Sequence, residues 1–191
     1  MKEWLKPLMK ADASLSKRLR VPDHRHWLGI FLKFFAHSGD SWFWLAGLFI
    51  VWLFGSEAWR ERAVFLGIGL TIMATVVIIL KYTIRRPRPE GEWGQIYRIT
   101  DPHSFPSGHA ARSAALAVMA CCAGPEWFAL TVLLWAPWVG ISRVMLGVHY
   151  VSDVVVGWLV GAAMGFAAIA LEPVILRWFS WLVQLPLKLI H

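Results

Sequence analysis

AVFLGIGLTIMATVVIIL, residues 63–80, runs for eighteen positions without a charged side chain. A helix needs about 20 residues to cross a hydrocarbon layer roughly 30 Å thick, with some tolerance. With its boundary residues, this stretch reads as a membrane span. Only helices suit such a run, because lipid offers no partner to open backbone groups. The pattern repeats along the chain. Residues 41–55 carry no charge over fifteen positions, 127–142 none over sixteen and 154–171 none over eighteen, while 110–125 is apolar apart from Arg112. Five runs therefore qualify as spans. Residues 27–37, short and interrupted by Lys33, supply a sixth. The expected fold is all-α, a polytopic membrane bundle of about six helices.

Composition agrees. Apolar residues make up 58% of the 191 and charged residues 16%, against about 25% charge in an ordinary soluble domain. A water-soluble globule, a disordered chain and a coiled-coil or collagen-like rod are excluded. Thirteen tryptophans suit extended water–lipid boundaries, where indole is favoured. The net charge of +7 fits anionic head groups and a positive cytoplasmic face; nucleic acid is not an expected partner of so apolar a chain. Cys121 and Cys122 are adjacent, which strains a mutual disulfide and leaves no cysteine metal site.

Two regions are expected. Residues 1–26 are basic and amphipathic, with Trp4/Leu8 and Leu5/Met9 four apart and Lys2, Lys6 and Lys10 between them. They read as a helix on the membrane surface, with no cleaved signal peptide. Residues 27–191 form the membrane-embedded domain. Six spans place Lys2, Lys6, Lys10, Lys17, Arg18 and Arg20 inside. Gly157, Gly161 and Gly165 recur every four residues, a spacing that permits close helix packing in lipid. Asp40, after Ser38 and Gly39, reads as a helix cap.

Consecutive spans alternate in direction. From His109 to Ser142 is 33 residues, about 50 Å of helix at about 1.5 Å per residue, one trip across and one back. Three polar segments, residues 81–89, 106–109 and 142–153, therefore meet at one membrane face. The first supplies Lys81, Arg85, Arg86 and Arg88. In the second, Ser107 can cap the helix beyond it, Gly108 lets a ligand approach the backbone, and the helix start offers N–H groups to an anion. The third supplies Arg143, then His149 and Asp153. His149 and Asp153 are four apart and share a helix face, so the carboxylate can accept one imidazole N–H and leave the other nitrogen as nucleophile or base. Fixed cations and amides suit a phosphoryl group. A metal ion is not expected: Lys81, Arg88 and Arg143 repel one, and Glu90, Glu92, Asp101 and Asp153 lack ligand spacing.

Lys81-x6-Arg88-Pro89, Pro106-Ser107-Gly108-His109 and Ser142-Arg143-x5-His149-x3-Asp153 together resemble the three-part signature of the type 2 phosphatidic acid phosphatase family. The match covers residues 81–153 in order and spacing. The resemblance implies a cofactor-free, metal-independent phosphatase acting through a phosphohistidine. On that reading His149 attacks phosphorus, Asp153 holds its tautomer and His109 protonates the leaving oxygen, then serves as base toward water. Lys81, Arg88, Ser107, Gly108 and Arg143 bind the phosphoryl oxygens. Arg85 and Arg86 fall on variable positions, where they bind a second phosphate or anchor the helix. Arg112, one turn beyond His109, lies near the surface or is paired, since a charge at mid-membrane costs about 2.5–3.5 kcal/mol on insertion scales; contact with substrate is left open. The implied substrate is a lipid phosphate of the undecaprenyl diphosphate, phosphatidylglycerol phosphate or phosphatidate type. The implied location is the cell (inner) membrane, with the site facing periplasm or exterior. The signature is shared with vanadium-dependent haloperoxidases, which resemble soluble proteins. A non-hydrolytic phospholipid-binding or transport protein and a purely structural membrane protein compete with the phosphatase reading. His109 with the His149/Asp153 spacing argues against both, since binding phosphate needs cations but no oriented imidazole.

Overall fold

The computed structural model describes residues 5–21, 26–90 and 101–190. Among these residues the secondary structure is helical, with a single isolated bridge between Pro87 and His103. The described helices are, in order, α1 Leu5–Leu19, α2 His26–Ser38, α3 Ser41–Phe54, α4 Glu57–Ile84, α5 Gly108–Ala123, α6 Glu126–Met145, α7 Val151–Ala170, α8 Glu172–Trp178 and α9 Ser180–Ile190. Three of them, α4, α6 and α7, are long and apolar enough to cross a membrane. With 14 and 16 residues, α3 and α5 are shorter than the six-span expectation assumed. Lys2, Trp4 and Glu92 lie outside the described residues.

The core is built around α5. Its buried residues are small or slender, among them Ala110, Ala111, Ala115, Leu116, Met119 and Ala120, so α4, α6 and α7 approach it closely. Gly157, Gly161 and Gly165 of α7 face it as their spacing suggested. A Cβ on Gly157 would stand 2.6 Å from Ser107 O; one on Gly161 would overlap the Ala111 backbone, and one on Gly165 would meet Val118 Cβ at 2.8 Å. In lipid, where burial drives helix association little, such contact supplies the packing energy. The outer surface is apolar: Phe49, Ile79, Leu134 and Phe166 are all more than half exposed. So large an apolar exterior suits a bilayer and not water.

The N-terminal topology departs from the six-span reading. Val21, just before α2, donates from its N–H to Met145 O at 2.9 Å, at the C-terminal end of α6. Asp40, just after α2, touches His109 at the start of α5. Those two helix ends lie at the same face, so α2 enters and leaves on one side and makes no net crossing. Ser38 at its end accepts from the indole of Trp135 at 2.8 Å, and Phe31 packs edge-on against Trp138. Lys33 and the short length were the signals for this. α1 is helical as expected, and it docks on that same face. Ser16 Oγ accepts from Val151 N at 3.0 Å and Asp12 Oδ1 from Ser152 N at 3.1 Å. α1 thus caps the start of α7 in trans, satisfying donors that the helix itself leaves open.

Candidate active site

The three polar segments do meet, and backbone hydrogen bonds lace them together. α4 ends at Arg85, whose left-handed conformation (φ 53°, ψ 38°) turns the chain. Pro87 and Pro89 bias the residues before them, Arg86 and Arg88, toward extended backbone. Ser104 N donates to Arg86 O at 2.8 Å, joining the first segment to the approach of the second. Ser107 N donates to Asp153 O at 2.9 Å, joining the second to the third. Val148 N and His149 N both donate to Arg143 O, at 3.1 and 3.2 Å. That tight turn carries His149 back over the end of α6.

His149 and Asp153 are fully buried. His149 Nδ1 stands 3.4 Å from Asp153 Oδ2, and Arg88 Nη1 stands 3.2 Å from His149 Nε2. A guanidinium can only donate, so Nε2 carries the lone pair and Nδ1 the proton. This is the tautomer a nucleophilic Nε2 requires. Burial, reinforced by the positive charge of Arg88, Arg143 and Lys81, holds His149 well below the usual imidazole range. The ring is unprotonated at neutral pH.

Asp153 is itself held. Its Oδ1 accepts from Arg86 Nη1 at 2.7 Å and its Oδ2 from Tyr150 N at 2.9 Å. Arg86 reaches on to Asp12 Oδ2 at 2.7 Å and lies over the Tyr150 ring at 4.0 Å. Neither role the sequence left open for Arg86, a second phosphate or a helix anchor, describes these contacts: it fixes the carboxylate behind His149. Arg85 is exposed and bonds Tyr82 O.

A cleft of about 430 Å³ opens in front of His149, lined by Lys81, Arg88, Gly108, His109, Arg143 and His149. Two imidazoles, four cations (Lys81, Arg88, Arg112 and Arg143) and a helix start share one space. Ser107, buried beneath it, accepts from Ala110 N at 3.5 Å and caps α5. A Cβ at Gly108 would meet only Val77 Cγ1, at 3.7 Å, so packing leaves that position open. Lys81 is in ion-pair contact with Asp101, and Arg88 Nη2 bonds the same Oδ2 at 2.8 Å. Asp101 therefore spaces the cations, a part sequence reasoning missed because it weighed this residue only as a metal ligand.

Asp40 corrects a second reading. It occupies the N-cap position of α3, yet its side chain makes no cap bond. Its Oδ1 lies 2.7 Å from His109 Nε2 and its Oδ2 3.1 Å from His37 Nδ1. Arg112 is paired, as its cost in the membrane demands: it donates to Gly39 O and to Ser41 Oγ.

The family profile described as the PAP2 superfamily matches residues 60–177, more than half the chain. The chain belongs to the PAP2 superfamily. Among PAP2 relatives, it is 30% identical to the undecaprenyl-diphosphatase of Sulfolobus acidocaldarius over 74% of this chain and 69% of that one. It is 36% identical to the decaprenylphosphoryl-5-phosphoribose phosphatase of Mycobacterium tuberculosis over 68% of this chain and 72% of that one. The fold resembles the transmembrane PAP2 type phosphatidylglycerolphosphate phosphatase of Bacillus subtilis, with a TM-score of 0.70, 25% identity and 87% of each chain covered. It also resembles Aquifex aeolicus LpxE, with a TM-score of 0.65, 26% identity and 82% of this chain and 93% of that one covered. The family resemblance read from the three segments is thus confirmed. Asp12, His37 and Asp40 all lie before the residues the PAP2 profile matches.

Proposed function

We propose that this chain is an integral membrane phosphatase that hydrolyses a phosphomonoester or diphosphate of a lipid through a phosphohistidine. One observation carries the reading: His149 Nε2 is the unprotonated nitrogen, set among cations in a cleft it shares with His109. A phosphoryl group seated between Lys81, Arg88, Arg143 and the start of α5 has its oxygens neutralised. His149 Nε2 then attacks phosphorus, and the imidazolium that forms is stabilised by Asp153. His109 protonates the departing oxygen and afterwards takes a proton from the water that releases phosphate. Cations, rather than a carboxylate cage, surround the phosphoryl position, so the chemistry has no need of a metal ion.

The cleft has an apolar wall. Met73, Ala74, Val77 and Ile78 of α4 line it below Lys81, where the tail of a lipid phosphate can remain in the bilayer. Undecaprenyl diphosphate, phosphatidylglycerol phosphate and phosphatidate are the substrate types proposed. Purified protein should release phosphate from members of that panel in the presence of a chelator and be inhibited by vanadate. His149→Ala should abolish release while lipid phosphate still binds. Strict dependence on added magnesium, or turnover surviving in His149→Ala, would contradict the mechanism.

The proposed location is the cell (inner) membrane with the site facing periplasm or exterior, supported by the family resemblance. A cytoplasmic-facing site is the second reading, favoured by α1. Lys6, Lys10, Lys17, Arg18 and Arg20 stand on or beside a helix docked at the site's own face. The positive-inside rule draws that face inward.

A further inference from the structure

Asp40 lies outside the three signature segments, and the turn that carries it is tightly constrained. Asp40 N donates to His37 O at 2.9 Å. Gly39 has no room for a side chain: a Cβ there would stand 2.6 Å from Val139 Cγ1 and 3.2 Å from His109 Cδ2. Arg112, three residues beyond His109 on α5, binds both sides of the turn at Gly39 O and Ser41 Oγ. α5 therefore grips the turn at one position and receives its carboxylate at another. A capping side chain satisfies backbone N–H groups; this one instead meets an imidazole in the cleft.

We propose that Asp40 is the positioning residue for His109, doing for the acid–base histidine what Asp153 does for the nucleophile. The inference rests on the phosphatase reading above. Asp40 Oδ1 accepts the proton on His109 Nε2, which leaves Nδ1 as the working nitrogen. In the first step the P–N bond to His149 forms and the P–O bond to the lipid oxygen breaks. His109 enters this step as the imidazolium, protonated on both nitrogens, and its Nδ1 proton passes to that oxygen. In the second step a water oxygen bonds phosphorus, the P–N bond breaks and the water proton returns to Nδ1. The Nε2 proton stays against Asp40 throughout. Burial alone would raise the Asp40 carboxyl, but its hydrogen bonds with His109 and His37 and their charges hold it at about 2. It is a permanent acceptor. The charged and titratable groups facing the pair are His37 from α2, Arg112 from α5 and Arg143 from α6, with Lys81 and Arg88 across the cleft.

The test compares two leaving groups in the full-length protein. An alkyl lipid phosphate needs a proton on its departing oxygen; an aryl phosphate with an acidic phenol does not. Asp40→Asn should lower kcat/KM for the alkyl ester by about 10²-fold, the scale of general acid catalysis, and leave the aryl ester within about threefold. On a His109→Ala background the same substitution should change neither ester further. Calorimetric vanadate binding reports an intact site. If Asp40→Asn does not bind vanadate, Asp40→Ser replaces it, because serine caps a helix well while removing the carboxylate; the same split between esters is expected. Equal loss on both esters in a vanadate-binding variant, or an unchanged alkyl ester, would overturn the role of Asp40. A wild-type protein that releases phosphate from neither ester would instead overturn the phosphatase reading.

Discussion

On the proposed mechanism His149 reacts only while Nε2 is free of a proton, so its environment would set the acid limit of turnover. Burial and the cations Arg88, Arg143 and Lys81 depress it from the ordinary 6.5. The folded state therefore binds fewer protons than the unfolded one in the window below that value. Stability rises with pH through the window and is lost as pH falls. The acid limb of kcat/KM assigned to His149, corrected for ionisation of the substrate phosphate, should lie below 6.5; a limb at or above that value would mean the cations do not act on it. His149, Asp153, His109, Lys81, Arg88 and Arg143 were legible in the sequence because their spacing ties them to helix ends. Asp12, Asp40 and Asp101 were not. Each is a carboxylate whose charged or imidazole partner at the site, Arg86, His109 or Arg88, lies 13 to 74 residues away, and no local period announces such a pair. Arg86 fell between the two: its charge was visible, its partner was not.

α5 and α7 form the central seam of the architecture, and their contact depends on what α7 lacks. Gly161→Ala would push a methyl group into the Ala111 backbone, at a cost of about 1–3 kcal/mol for overpacking. Gly67 of α4 has nothing within 4 Å of the same position. There alanine should be neutral or stabilising, by up to about 1 kcal/mol, through helix propensity. Thermal unfolding in detergent should thus show Gly161→Ala well below wild type and Gly67→Ala at or above it; equal shifts would show that the glycine stripe is not the packing seam. Long uncharged runs made α4, α6 and α7 readable as spans. α2 misled the count because a short apolar helix beside an aromatic partner has the composition of a crossing helix. Only the positions of Val21 and Asp40 at one face show that it turns back. α1 reads as a surface helix from its basic, amphipathic sequence, and the structure adds where it docks. Asp12 and Ser16, four apart on one face of α1, cap α7, but nothing along α1 names that distant partner.

Across the whole molecule, one face collects the end of α4, the start of α5, the end of α6 and the start of α7. The prolyl turn and the α1 clamp hold these ends in register. That convergence followed from the alternation of spans alone. The side on which it lies did not, because the count of crossings before α4 changed by one. A cysteine placed at the exposed Lys10, with Cys121 and Cys122 changed to serine, reports the answer through an impermeant thiol reagent in sealed vesicles. Labelling from the exterior is expected for the proposed orientation, and protection would move the site to the cytoplasm. The chemistry is independent of that choice. The proposed reaction is a double displacement at phosphorus by way of His149. Hydrolysis of a chiral, oxygen-isotope-labelled thiophosphate ester in labelled water tests it most directly. Two in-line displacements predict net retention of configuration at phosphorus; inversion would show that water attacks the substrate itself and that no phosphohistidine lies on the path.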